Sequence, residues 1–288
     1  ELAVREYIKN EVIDKNRLQR LAEKVKSAES VLDDYRPDAI FVDGILNFDI
    51  NIFLELAKTR DIPTASTWHS PILVKCKYPV FGADPRAASV VDLCLTWGKG
   101  HEDWLRDTGA RCKWSRTGWL AKGNHQHSPR VRVRGGRALM LQFVVSGDDF
   151  AGRFANEFAC FVHVARMLRD LECESIRLKL HPGRLMAPYY ERIAQFFKIE
   201  CDFFNDGPAD EHIEWSDFVI GPIHTAAMLE AMAQGKPYFP LHLSPSTVDP
   251  RSVKGCRIYR DFDSLRQALR AEFLQDQSAT INYYTGAD

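Results

Sequence analysis

The 288-residue sequence lacks a long apolar run, and none of its apolar stretches approaches the roughly 20 residues that a membrane-spanning helix needs. It also lacks an excess of charge of either sign, because 38 basic and 39 acidic residues leave a net charge of −1. Proteins dedicated to nucleic acids are usually strongly basic, so this balance argues against a nucleic-acid partner. A hydrophobic content of 45% predicts a globular chain with a sizeable core.

The sequence also has no Cys-x-x-Cys pair. Its seven cysteines are scattered singly, at positions 76, 94, 112, 160, 173, 201 and 256. An odd number without paired spacing argues against a disulfide framework or a zinc site, and favours a reducing, cytoplasmic compartment. The first residue is Glu1 rather than methionine, and no signal peptide precedes it. We therefore expect a piece excised from a longer protein.

One stretch, residues 216–241, contains a strand, a turn, a helix and a second strand in succession. Residues 218–220 form an apolar run of buried-strand length, Gly221 breaks it, and Thr225 stands where a helix N-cap would stand. Gly235 ends the helix. Such units build open parallel sheets. The turn brings backbone N–H groups and a hydroxyl to the positive end of a helix, which predicts either an anion site, phosphate being the usual anion, or an ordinary capped crossover.

The same order of elements recurs in the first half of the chain, after an amphipathic helical pattern within residues 1–35. Two such halves predict an α/β fold with two Rossmann-like domains that face a cleft. In the first half, we predict strands at 38–44, 62–66, 90–96 and 112–117, and helices at 49–59 and 99–107. In the second half, we predict strands at 138–145 and 175–180, and helices at 154–170, 189–197 and 263–274.

A change of composition marks the boundary between the halves. Residues 122–137 contain four arginines, a proline and two adjacent glycines, but few large apolar groups. This composition predicts a solvated linker, or alternatively a basic cluster that contacts phosphate or an acidic membrane surface. We place the domains at 1–125 and 126–288. The first has few strands and opens with a helix, so we expect it to be incomplete. The last dozen residues are polar and are predicted to fray.

A cationic group follows one predicted strand of the second half. Lys179 and His181 are two residues apart and so share a face of the strand, and Arg184 follows in the turn. Cationic and donating groups at a strand end suit a diphosphate or phosphodiester. The alternative is a buried histidine that caps a loop, with Lys179 exposed to solvent.

Carboxylates supply a second set of candidates. Asp148 and Asp149 follow a predicted strand, where they can serve as base, nucleophile or metal ligand, or alternatively as a helix N-cap. Glu230, on the helix after Thr225, is either within reach of a ribose or a surface glutamate. In the first domain, Asp43 lies at the end of one predicted strand and His69 follows another, and a structural role is equally open for both. No Asp-x-Asp lies in a context typical of a metal site, so we expect neither metal nor other cofactor.

Residues 216–241 resemble the nucleotide-binding half of GT-B glycosyltransferases, whose consensus has the same strand, small-residue turn, Glu-Ala and Gly-Lys-Pro. The Lys-x-His-Pro element at 179–182 resembles a narrower group, the bacterial capsule and O-antigen enzymes that use CMP-linked sugars: Kdo transferases and polysialyltransferases. CDP-glycerol glycerophosphotransferases share a similar His-Pro element. Leu141-Gln142, with acidic residues shortly after, is also similar to the Kdo transferases. The resemblance covers residues 138–245 well and residues 38–120 loosely.

The resemblance implies that the His-Pro element and a Ser-Ser/Thr turn hold the nucleotide phosphates. Thr225 occupies the second position of that turn, whereas His224 stands at the first, where this sequence departs from the family pattern. An aspartate near Asp148 and Asp149 is implied to be the nucleophile. The nucleotide sugar would dock on the second domain, and a glycan or lipid-linked glycan acceptor would enter from the first domain, near Asp43 and His69.

The implied function is a transferase that moves a CMP-linked ulosonic acid, of the Kdo or sialic type, onto a bacterial surface polysaccharide or lipopolysaccharide. Such an enzyme would act in the cytoplasm, at the inner face of the inner membrane and in peripheral contact with it. Two enzyme alternatives are a UDP-hexose-dependent GT-B transferase and a nucleotide-sugar epimerase of the same fold. The non-enzyme alternative is a degenerate transferase domain that binds glycan or scaffolds a synthase.

Overall fold

The computed structural model divides the chain into two compact units. The described residues up to Thr96 and from Glu102 to Thr117 form the first unit, and Trp97–His101 with those from Gly118 onward form the second. The predicted boundary at 125/126 falls outside the described residues and stays a prediction. The predicted solvated linker at 122–137 is wrong for residues 131–137, because Val131 and Val133 are buried in the core and Arg137 begins a strand of the second unit. The structure describes residues 15–43, 48–67, 91–107, 109–119, 131–143, 150–181, 186–223, 225–243, 253–272 and 276–286.

The first unit contains a four-stranded parallel sheet whose spatial order follows the sequence. All four strands predicted for this half are confirmed. They are β1 (Ile40–Asp43), β2 (Thr64–Thr67), β3 (Leu93–Thr96) and β4 (Lys113–Arg116). The accompanying helices are α1 (Lys15–Tyr35), α2 (Phe48–Thr59) and, from Glu102 onward, α3 (Lys99–Asp107).

Helix α1 packs against α2, and each helix buries one apolar stripe. Ala28 and Leu32 of α1 lie four residues apart, and Leu54 and Ala57 of α2 lie three apart, so each pair shares a helix face. The helical pattern read from the sequence is thus confirmed for residues 15–35.

The second unit contains a five-stranded parallel sheet in the order β7-β6-β5-β8-β9. Its strands are β5 (Arg137–Leu141), β6 (Ser175–Lys179), β7 (Asp202–Phe204), β8 (Phe218–Gly221) and β9 (Tyr238–Pro240). Its helices are α4 (Phe150–Asp170), α5 (Ala187–Phe197), α6 (Ala209–Trp215), α7 (Ala226–Ala233), α8 (Phe262–Arg270) and α9 (Ser278–Thr285).

The strand order reverses at β5, which pairs with β6 on one side and with β8 on the other. In open parallel sheets, the crevice beside the carboxyl ends of the strands at such a reversal is where ligands bind. The predicted α/β class, with two Rossmann-like parallel sheets, is confirmed. The cleft between the units stays a prediction.

Apolar side chains cover both faces of the central strands, as expected for a buried parallel sheet. One cluster joins Met140 and Ile220 to buried residues of α4, α5 and α8. The other joins Leu139 and Val219 to residues of α6, α7 and α9. Alternate residues of β5 and β8 therefore anchor two separate helical layers. Within the described part of the chain, no helix has both the length and the apolarity needed to cross a membrane.

The predicted fraying of the last dozen residues is wrong for residues 278–285. They form α9, which packs against α7 and buries Ile281 and Tyr284. Its polar residues belong to the packing as well, because the buried Thr285 hydroxyl donates to the Ile281 carbonyl oxygen at 2.8 Å. The sequence reading also missed β7 and α6, and it extended β5 beyond Leu141.

Replacement of Ile281 by alanine tests whether α9 is part of the core. Ile281 is 1% exposed, so the cavity should lower the free energy of unfolding by about 2–5 kcal/mol. Urea denaturation measures this loss. Ala279→Gln on the exposed face of the same helix is the control, with an expected change within about 0.5 kcal/mol. Equal stability of the two variants would show that the helix end is frayed after all.

Candidate functional site

The turn after β8 is held in place by a buried tyrosine. Tyr238 of β9 donates its hydroxyl to the Pro222 carbonyl oxygen at 2.8 Å. A Cβ on Gly221 would collide with that hydroxyl, so only glycine fits at this point of the strand. The Gln277 side chain in turn fixes Tyr238, since it accepts from the backbone N–H at 3.1 Å and donates to the carbonyl oxygen at 2.7 Å. The turn therefore leads into α7 with a defined geometry.

Thr225 is the N-cap of α7, as the sequence predicts. Its backbone is extended, and its Oγ1 accepts from the Ala227 N–H at 3.3 Å. The first turn of α7 contains no acidic residue, so no carboxylate of that turn offsets the positive end of the helix. His224, the neighbouring predicted phosphate ligand, lies outside the described residues. The geometry suits an anion at this helix end.

Lys179 and His181, at the end of β6, differ sharply in exposure. The lysine is 6% exposed, and its Nζ donates to the carbonyl oxygens of Leu180 at 3.0 Å and Asn205 at 3.3 Å. Burial lowers the Lys179 pKa, with a nearby aspartate acting in the opposite sense. The lysine ammonium thus joins the ends of β6 and β7. A direct contact between Lys179 and nucleotide stays a prediction.

The imidazole of His181 is exposed, and its backbone is held from β5. The His181 N–H donates to Oε1 of Gln142 at 2.9 Å, while the Gln142 N–H donates to the Lys179 carbonyl oxygen at 3.0 Å. The alternative of a buried histidine beside an exposed lysine is therefore wrong. Because β6 and β8 both border β5, His181 and Thr225 follow strands about 10 Å apart, on either side of the end of β5.

Glu230 lies on α7, half-buried, and its pKa is raised chiefly by burial and secondarily by the charge of Asp210. Within the described residues, its carboxylate accepts no hydrogen bond. A half-buried carboxylate without a donor lowers stability at neutral pH, and such groups concentrate at functional sites. Of its two sequence interpretations, the exposed surface glutamate is the one that this burial disfavours.

The structure says little about the remaining residues that the sequence predicts for the site. Asp43, at the carboxyl end of β1 in the first unit, is exposed. Five others lie outside the described residues, and their roles stay predictions: His69, Asp148, Asp149, Arg184 and His224. A cavity of about 200 Å³ lies at the amino ends of β6 and β7, lined in part by Ser175 and Asp202. It is at the opposite edge of the sheet from the turns described above, and we do not assign the site to it.

Sequence reasoning missed the supporting residues Glu157, Tyr238 and Gln277. Glu157 is completely buried on α4, where Cys160, Phe161 and other members of the same helical stripe are apolar. A single carboxylate within such a stripe is a detectable signal, because buried charges occur only with partners. The part that Gln277 plays depends on a contact 39 residues along the chain, which no local pattern indicates.

No protein-family model matches the chain, and no curated protein matches it. Solved structures share its fold at low identity. UDP-N-acetylglucosamine 2-epimerase from Rickettsia bellii is 13% identical, with a TM-score of 0.55 over 94% of this chain and 76% of its own. UDP-GlcNAc 2-epimerase from Methanocaldococcus jannaschii, in complex with UDP-GlcNAc and UDP, is 11% identical, with a TM-score of 0.54 over 89% and 76%.

The lipopolysaccharide outer core galactosyltransferase WaaB is 13% identical, with a TM-score of 0.50 over 94% of this chain and 78% of its own. At these identities, the likenesses show the fold alone. They confirm the predicted fold class, a two-domain Rossmann-like architecture of the GT-B type, which glycosyltransferases and sugar-nucleotide epimerases share.

The Glu230→Gln variant tests the electrostatics of the site. A raised carboxyl pKa favours the fold below the ordinary glutamate pKa of about 4.3, and this stability is lost as pH rises through the raised pKa. The variant should therefore be more stable than wild type at neutral pH, and the difference should vanish in acid. Urea denaturation between pH 4 and pH 8 measures it. Glu191→Gln, on the exposed face of α5, should follow wild type at every pH, and identical pH profiles for all three proteins would contradict this account.

Proposed function

We propose that the chain is a glycosyltransferase that binds a nucleotide-sugar donor at the carboxyl edge of the second unit's sheet. One observation carries the proposal: the exposed His181 and the capped N-terminus of α7 follow the two strands that border β5, and the half-buried Glu230 lies further along α7. This is the arrangement that a donor with a central diester or diphosphate and a ribose requires.

Each group has a chemical part in donor binding. The His181 imidazole and the first N–H groups of α7 donate to phosphate oxygens, and the Thr225 hydroxyl either donates or remains the helix cap. The Glu230 carboxylate accepts from ribose hydroxyls, which would supply the hydrogen bonds it lacks among the described residues. Arg184 and His224 add cationic or donating groups. Lys179 supports the turn after β6 through its hydrogen bonds to the carbonyl oxygens of Leu180 and Asn205.

The preferred donor is a CMP-linked ulosonic acid of the Kdo or sialic type. This choice is supported by the resemblance of the Lys-x-His-Pro element at 179–182 and the Thr225 turn to enzymes that use CMP sugars. A second candidate is a UDP-hexose transferase or a nucleotide-sugar epimerase, which is favoured by the shared fold of the UDP-GlcNAc 2-epimerases. A degenerate, glycan-binding domain is the non-enzyme alternative.

The acceptor would be a glycan or lipid-linked glycan of a bacterial surface polysaccharide or lipopolysaccharide. We place its entry on the first unit, near Asp43 and His69. Such acceptors are made at the cytoplasmic face of the inner membrane, so the proposal includes peripheral contact with that membrane. The basic residues that precede Val131 would supply the attraction to anionic lipid, since Val131 and Val133 are buried. Arg134 and Arg137 pair with Glu172 and Asp217 instead.

Donor binding is tested by His181→Ala. Loss of a charge-assisted hydrogen bond to phosphate should weaken nucleotide binding by about 1.5–3 kcal/mol while the fold persists. Isothermal titration with CMP and with UDP measures the affinity and also separates the two donor classes. The control is His163→Ala, at an exposed position of α4 whose ring stacks on Phe262. Full affinity in the folded His181 variant would remove this residue from the site.

Catalysis is assigned to Asp148, with Asp149 as the cap of the following helix and Asp43 as the alternative. A sugar that leaves its nucleotide develops positive charge, which a carboxylate stabilises or traps as an ester. Asp148→Asn should keep nucleotide affinity but lower turnover by several orders of magnitude. If Asp148 is the nucleophile, intact-mass spectrometry of wild type with a CMP-ulosonic acid donor alone should show a sugar adduct that Asp148→Asn lacks. Normal turnover in both Asp148→Asn and Asp149→Asn would transfer the assignment to Asp43.

A further inference from the structure

The buried carboxylate of Glu157 has no part in the function proposed above. It lies on α4 with none of its surface exposed, and its Oε2 accepts from Nε2 of Gln142 at 3.3 Å. Removing a charge from water is costly, and an apolar residue would fit the surrounding stripe of Cys160 and Phe161. The presence of a carboxylate at this buried position therefore indicates a role other than packing.

Gln142 connects this carboxylate to His181. Its amide is 4% exposed and has one contact on each side: Nε2 donates to Glu157, and Oε1 accepts from the His181 N–H at 2.9 Å. The backbone N–H of His181 only donates hydrogen bonds, so the carbonyl oxygen of the amide must face His181. The NH2 group of the amide then faces Glu157, whose Oε2 accepts from it. Glu157 therefore supports the orientation of the amide in which Oε1 meets His181.

We propose that Glu157 and Gln142 are positioning residues for His181. His181 is exposed, and the position of its main chain determines where the side chain begins and hence which positions the ring can reach. Gln142 fixes that main chain to the end of β5, since its own N–H also donates to the Lys179 carbonyl oxygen at 3.0 Å. The inference rests on the proposed contact of His181 with donor phosphate, and it explains how that contact is pre-organised.

If Glu157 and Gln142 only stabilised the fold, their replacement would change stability and leave nucleotide affinity unchanged. Replacing both members of a buried polar pair by apolar groups of similar shape is close to neutral for stability. Gln142→Met with Glu157→Met removes both polar side chains. The fold should persist, because the N–H that loses its acceptor belongs to the exposed His181, and the His181 main chain is thereby freed. The exchange Gln142→Glu with Glu157→Gln restores the whole connection. A carboxylate at position 142 still accepts from the His181 N–H, and an amide at position 157 donates to that carboxylate.

Titration of the two double variants with CMP and with UDP tests the proposal. The methionine pair should bind about tenfold more weakly than wild type, whereas the exchanged pair should bind within about threefold. In a His181→Ala background, the methionine pair should cause no further loss. A tenfold loss that persists without the imidazole, or an exchanged pair as weak as the methionine pair, would overturn the proposal. Should the methionine pair fail to fold, Glu157→Gln takes its place in the cycle, with an expected loss that the exchanged pair reverses.

A readout without ligand separates this inference from the proposed function. Amide hydrogen exchange at His181, followed by NMR, should be slow in wild type and in the exchanged pair, and faster in the methionine pair. Equal exchange in all three would contradict the role of Gln142. Unchanged nucleotide affinity in His181→Ala alone, with the exchange pattern as expected, would instead refute the proposed phosphate contact and with it the functional purpose of the pair.

Discussion

The pairing of β5 with β6 on one side and β8 on the other is the constraint on which the candidate site depends. The strand is buried on both faces, so a one-residue slip would move each side chain into the other helical layer and disrupt the packing of both. Because the sequence order reverses at β5, the turns that follow β6 and β8 end up on either side of its carboxyl end. Residues far apart in sequence, such as His181 and Thr225, thereby follow strands that border the same one.

Side chains that bind the main chain then fix these turns. Tyr238 holds the Pro222 carbonyl, Lys179 joins two carbonyls at the ends of β6 and β7, and Gln142 holds the His181 N–H. Parallel strands leave unpaired backbone groups at the carboxyl edge of the sheet, and buried ones must be satisfied. The residues that satisfy them also determine where the exposed groups stand. The same side chains thus satisfy the backbone polar groups at the edge of the sheet and position the candidate site.

The elements of this fold were largely readable from the sequence. Short apolar runs punctuated by glycine and proline indicated β1, β5 and β8, and the N-cap at Thr225 followed from residue type alone. The short β7 and α6 were missed although Gly207-Pro208 separates them, because three and seven residues are too few to show a periodic apolar pattern. Helix α9 was mistaken for a frayed end because its buried threonines are polar. Local sequence patterns do not indicate contacts between residues that are distant in sequence and come together only in the fold.

The candidate site was likewise predicted only in part from the sequence. Spacing placed Lys179 and His181 on one face, yet it could not reveal that the lysine ammonium binds the carbonyl of Asn205, 26 residues further along. The burial of Glu230 likewise depends on its helix packing, which residue type does not encode. The structural similarity of the chain to UDP-GlcNAc 2-epimerases and WaaB supports the predicted fold. The chemistry that the chain performs depends on the residues at the edge of the sheet.

The most direct test of the central claim is amide hydrogen exchange of the whole chain, measured by mass spectrometry with and without saturating CMP or UDP. Nucleotide binding at the carboxyl edge of the second sheet predicts slower exchange in peptides that contain His181 and in those that span the turn from Gly221 to Ala227. Exchange around Ser175 and Asp202, at the opposite edge, should not change. Protection confined to that opposite edge, or none with either nucleotide, would contradict the claim.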